Sequence, residues 1–137
     1  MAAVADTIRD ALSHLRVQDP RQPLKAEHAR DGIRALNQMM TRWEADHLSL
    51  GWQEVSSPDD EMPVPPEALE AISYNLVLKL RPRFGVVIDG DVIQQATDGL
   101  AALRADVLSN QYERISYDDL PAGNNQQTYG WREAYTR

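Results

Sequence analysis

Ala29, Ile33, Leu36, Met40, Trp43 and His47 recur at alternating steps of three and four, the spacing that lines side chains along one face of an α-helix. The pattern predicts a helix over about 25–47, about 34 Å long at 1.5 Å per residue. A stripe of that length has to be covered by other elements, because helices in water owe most of their stability to packing. Gly32 lies inside the helix, where it costs about 1 kcal/mol relative to Ala. Close approach of a neighbouring element is a reason to keep it. Met40 and Trp43 are expected in the core, and Met39 beside the stripe, reaching toward a neighbour.

Three further stretches carry helical periodicity. Ile8, Ala11, Leu12 and Leu15 predict a first helix over 5–17, with Asp6 able to cap its start. Pro20 and Pro23 in QDPRQPL forbid its continuation. Leu69, Ile72, Leu76 and Leu80 form the stripe of a third helix, widened by Tyr74 and Val77, so this helix is expected to be central. Pro65 and Pro66 suit its entrance, Glu67 and Glu70 suit its positive end, and Arg81-Pro82 is expected to stop it before the turn RPRFG. Val92, Ala96, Leu100, Leu103 and Val107 predict a fourth helix over about 91–110, capped by Asp89, with Gly90 permitting the turn and Gly99 a second point of close contact. The fold class expected is all-α: a small four-helix bundle with a long second helix.

Between the second and third helices the period changes. Leu48, Leu50 and Trp52 alternate, the mark of a short extended segment with one buried face. SSPDDEMPVPP follows, acidic and proline-rich, and reads as an exposed loop. Residues 111–137 differ in kind: little periodicity, a PAGNN breaker and many amides, yet four of the five tyrosines and one tryptophan. The expected organisation is a helical domain over 1–110 and an extended C-terminal docking arm over 111–137. The arm holds too little apolar surface to fold alone and too many aromatics for an idle tail. It is expected to be mobile in a free monomer and ordered when bound. Trp52, Tyr112, Tyr117, Tyr129, Trp131 and Tyr135 are the candidate protein-interaction residues, since Tyr and Trp supply large contact area at low side-chain entropy cost.

The chemistry of the chain points away from catalysis. A formal charge of −7 argues against a broad nucleic-acid-binding surface. With no cysteine there is no disulfide, thiolate nucleophile or Cys-based metal site. His14, His28 and His47 form no helical metal pair, and Asp59, Asp60 and Glu61 lack calcium-loop spacing, so no metal and no cofactor is expected and those three acids read as solvated. The serines sit in no GxSxG or SxxK frame, and no Gly-rich phosphate cradle occurs. Glu44 with Glu54, and Glu67 with Glu70, are the pairings that a glycosidase reading would use. No apolar run reaches membrane-spanning length, and MAAVADTIRDAL does not read as a signal peptide, so the expected location is a cytoplasm or a particle assembled there.

The order of these features resembles the head-to-tail adaptor family of tailed bacteriophages, also described as packaged-DNA stabilisation or head-completion proteins. The resemblance lies in Leu36-Asn37-x-Met39-Met40-x-x-Trp43, then Asp46, Leu48 and Leu50, then Pro65-Pro66, Ala71, Asn75, Leu76 and the Pro82-x-Phe84-Gly85 turn, and covers about residues 6–108. His47 stands where that family often has Gly. The resemblance implies a structural virion protein, not an enzyme. It would form a ring of twelve subunits beneath the portal protein at the neck of the particle. It would contact neighbouring subunits, extend the DNA channel, help retain packaged DNA without sequence-specific binding, and offer the attachment site for the tail or next neck protein. Two other expectations compete with it: a phage cell-wall hydrolase using a carboxylate pair, and a small cytoplasmic helical regulator that binds a partner protein.

Overall fold

The computed structural model describes residues 2–19 and 21–111. Four α-helices occur in chain order: α1 (Val4–His14), α2 (Ala26–Ala45), α3 (Leu69–Phe84) and α4 (Gly90–Gln111). A single 3-10 turn at Pro66–Ala68 leads into α3. Among the described residues there is no strand, and the protein is an all-α bundle. α3 packs on α1, α2 and α4, whereas α4 has α3 as its principal partner.

The helical stripes meet in one core. Ile8, Leu36, Met40, Ile72, Leu76 and Val77 are fully buried, and Trp43 and Leu103 join the same cluster, with Leu100 half-buried against it. Burying each such aliphatic side chain contributes about 1.5–3 kcal/mol. Met39 belongs to the core as well. The two expected close approaches are present. A Cβ on Gly32 would lie 2.6 Å from Ile8 Cγ2, and one on Gly99 would lie 3.0 Å from Ala71 Cβ. The first brings α1 against α2 and the second brings α4 against α3.

The helix ends depart from expectation in instructive ways. α1 stops at His14 and α2 at Ala45, each short of its apolar periodicity. At the end of α1, Arg16 adopts φ +58°, its N–H reaches Ser13 O, and the Val17 N–H reaches Leu12 O. At the end of α2, His47 adopts φ +69°, its N–H reaches Glu44 O, and the Leu48 N–H reaches Trp43 O at 2.9 Å. Both are Schellman closures, which satisfy carbonyls that a helix end leaves free. His47 is therefore exposed and off the stripe, and Leu48 takes its place in the core. α3 runs through Pro82 to Phe84. A proline in the last turn removes a single intrahelical hydrogen bond, and Gly85, at φ +62°, closes the helix with its N–H on Arg81 O.

Neither expected acidic cap works as foreseen. No side chain caps α1. Its Val4 and Ala5 N–H groups donate to Asp60 O and Pro58 O, both at 2.9 Å, while Asp6 pairs with Arg9. The Asp89 main-chain carbonyl accepts from Val92 and Ile93 at the start of α4, and its carboxylate meets Arg16 at 3.3 Å on the surface.

Two measurements test this packing. Gly32→Ala is expected to lower unfolding stability by about 1–3 kcal/mol through overpacking against Ile8. On an Ile8→Ala background the same change should become neutral or favourable, a coupling that denaturant titration of the four chains of the cycle reads directly. His47→Gly should stabilise the protein by about 1 kcal/mol, because the left-handed backbone there strains any residue with a Cβ; a lower melting temperature would contradict it.

Candidate interaction surface

The segment joining α2 to α3 is where polar chemistry concentrates, and it is not the exposed loop that its composition suggests. Leu48, Val55 and Met62 are buried, and Leu50, Trp52 and Val64 pack against the core. Ser49 and Gly51 face solvent between them, so the alternation of an extended chain with one buried face is present without a partner strand. The missing strand is replaced by a side chain. Glu44 Oε1 accepts the Leu50 N–H at 3.1 Å and the Trp52 N–H at 3.0 Å, the two amides that point the same way in extended chain. Hydrogen bonds to a charged acceptor contribute about 1.5–3 kcal/mol.

Asn37, about two turns earlier on α2, makes the second anchor. Its Oδ1 accepts the Val55 N–H at 3.1 Å and its Nδ2 donates to the Val55 carbonyl at 2.8 Å, so one amide side chain satisfies both polar groups of a buried residue. Asp60 makes the third. Its Oδ2 accepts from the Ser56 and Ser57 N–H groups, holding the bend whose carbonyls cap α1. Antiparallel pairing of Ala3 with Glu61, and the Met62 N–H on Ala2 O at 3.1 Å, complete that junction. Asp60 is thus an organising residue rather than a solvated one, while Asp59 and Glu61 are exposed.

The acids of the two candidate pairs sit in different settings. Glu44 is engaged with two backbone amides, and Glu54, Glu67 and Glu70 are exposed. Two of the three histidines have packing contacts: His14 stacks on Tyr74 with ring centroids 4.6 Å apart, and His28 lies edge-on to Phe84 at 5.4 Å and contacts the buried Gln18 through Nδ1. Among the described residues no group of three His, Asp or Glu side chains converges as a metal site, and no helix is long and apolar enough to cross a membrane.

Of the candidate interaction residues, Trp52 is half-buried against the core, and its indole Nε1 is buried with no acceptor among the described residues. Beside the segment that carries it, Leu50, Pro65, Ala68, Leu103 and Val107 line a mainly apolar hollow between the loop and α4, with Ser49, Glu67 and Asp106 also in its lining. Tyr112, Tyr117, Tyr129, Trp131 and Tyr135 lie outside the described residues. Sequence reasoning missed two charged grooves on either side of α3. Arg34, Lys79 and Arg83 line one, between α2 and α3. Glu67, Glu70, Asp98 and Asp106 line the other, between α3 and α4. The signal was available in the spacing of Lys79 and Arg83, one helical turn apart, but only packing tells which faces of two helices share a groove.

The described residues thus form a helical bundle whose polar side chains secure its own loops, with charged grooves on its outside. The family described as P22 tail accessory factor matches residues 22–137, and the chain belongs to that family. It is a structural component of a tailed-phage tail or neck, as the resemblance implied. The match begins after α1 and includes the C-terminal stretch, whereas the sequence motifs cover about 6–108. No curated protein matches the chain.

The loop anchor can be tested alone. Glu44→Ala is expected to cost about 1–2 kcal/mol and to accelerate hydrogen exchange at the Leu50 and Trp52 amides while the α3 amides stay protected. Unchanged exchange at both amides would mean that the carboxylate does not hold the segment in solution.

Proposed function

We propose that this protein is a neck subunit that binds the portal protein in twelve copies, forms a ring beneath it, extends the DNA channel, helps retain the packaged genome and offers the docking site for the tail or the next neck protein. The observation that carries this reading is the family match over 22–137. Three features support it. The Glu44 carboxylate is spent on structure, which leaves the chain better suited to a scaffold than to hydrolysis. A net charge of −7 suits a channel through which DNA slides, since like charges repel phosphates. The aromatic-rich stretch over 111–137, which the family match includes, suits a docking arm attached to the bundle over 1–110, with Tyr129, Trp131 and Tyr135 as anchors and Tyr112 and Tyr117 as further contacts. Trp52, half-buried beside the apolar hollow, is the interaction residue proposed on the bundle itself. Ordering such an arm costs about 1–2 kcal/mol per residue in backbone entropy, so its anchors have to be well buried in the partner.

The test is electron microscopy and sedimentation of the protein mixed with the portal ring of the same phage. The free chain is expected to sediment mainly as a monomer and to appear as a ring only on the portal, because the portal surface templates subunits that cannot assemble when dilute. Failure to bind would remove the neck reading. Deletion of 122–137 should leave the helical circular dichroism signal in place and weaken portal binding at least tenfold; unchanged binding would remove the docking arm. Clearing of peptidoglycan by the wild-type chain, lost on Glu44→Gln with Glu54→Gln, would restore the hydrolase reading.

A further inference from the structure

The basic groove is unexpected on a chain of net charge −7. Arg34 projects from α2, and Lys79 and Arg83 from successive turns of α3; all three are exposed. The acid that lines this groove, Asp31, is already engaged by Arg83 at 2.9 Å. Arg34 and Lys79 have no acidic partner among the described residues. On the other side of α3, Glu67, Glu70, Asp98 and Asp106 are exposed along a groove into which no cation projects among the described residues. Its floor is made of small side chains, because Gly99 lets α4 approach Ala71 closely. Short carboxylates on a shallow small-residue floor leave room for long Lys and Arg stems, which bury their methylenes while their charged ends meet the rim.

From these two faces we infer that the occupant of the basic groove is the acidic groove of a second copy of this chain. The two patches are different and lie on opposite sides of α3, so the contact is head-to-tail rather than two-fold. Repeated head-to-tail contact leaves one unused groove of each sign at the ends of any open chain of subunits, and closing the ring removes both. Like charges crowded in each groove repel one another in the monomer, and pairing relieves both repulsions while steering subunits into one orientation. The interface rests on the ring proposed above and supplies its lateral contact; portal binding does not require it.

The chain has no cysteine, so introduced thiols report contacts without background. Glu70→Cys and Lys79→Cys placed in one chain should give, on oxidation at low ionic strength and high protein concentration, a ladder of oligomers longer than a dimer. Each single-cysteine chain should stay largely monomeric. Adding Asp98→Lys and Glu67→Lys to the double-cysteine chain should cut the ladder about tenfold, and adding Arg34→Glu with Arg83→Glu as well should restore it, with melting temperatures confirming that every variant folds. Absence of a ladder, efficient dimerisation of either single-cysteine chain, or a ladder indifferent to charge reversal would overturn the inference. So would capture of duplex DNA by the wild-type chain that is lost in Arg34→Glu with Lys79→Glu, since the groove would then serve phosphates. The same oxidation on portal-bound protein separates the two readings. Portal binding without cross-links removes the lateral contact and leaves the neck role; cross-links in a chain that binds no portal do the reverse.

Discussion

α3 is enclosed on several sides at once, and the position of every other helix follows from that enclosure. Ala71, Ile72, Leu76, Val77 and Leu80 are buried in directions that no single helical stripe spans, so α1, α2 and α4 each cover a different part of one surface. The cost of leaving any of those parts wet, about 25 cal/mol per Å² of apolar area, holds the other three helices around it. The tight contacts refine the arrangement. Gly99 sets how near α4 comes to α3, and Gly32 sets how near α1 comes to α2. Asn75 adds a polar tie, with its Nδ2 donating both to Ala71 O in its own helix and to Ala96 O at 3.0 Å in α4.

The proline-rich connection then becomes part of the body of the protein rather than a tether. Glu44, Asn37 and Asp60 each satisfy a pair of backbone groups in it, and the connection in turn satisfies the first amides of α1. A segment of about this size without regular structure cannot be buried unless its main-chain donors and acceptors find partners. Glu44 and Asn37 on α2, with Asp60 in the loop itself, do that work. A loop held at three points keeps Trp52 and the neighbouring hollow in a fixed place, and under the proposed function such a surface would lose less entropy when a partner docks on it.

Periodicity made the four helices, the interior role of Leu36, Met40 and Trp43, and the close approaches at Gly32 and Gly99 readable before any coordinates, because each is a consequence of 3.6-residue repetition or of a missing side chain. The absence of thiols, metal-binding spacings and nucleophile frames was equally a property of the residue list. The chain's own residues therefore determined which helices it could form and which side chains were on hand. Tertiary structure alone decided where the polar groups went. Asp6 and Asp89 lie at helix starts, yet loop carbonyls accept the first amides of α1 and the Asp89 carboxylate turns to Arg16 instead. His47 lay on the stripe, yet the Schellman closure turned it outward and gave its place to Leu48. Lys79 and Arg83 were ordinary surface cations until packing set them opposite Arg34. The physical reason is range: helical period is written in contacts three and four residues apart, whereas a hydrogen bond from Val4 to Asp60 or from Asn37 to Val55 exists only once distant stretches of chain have been brought together by the burial of the core.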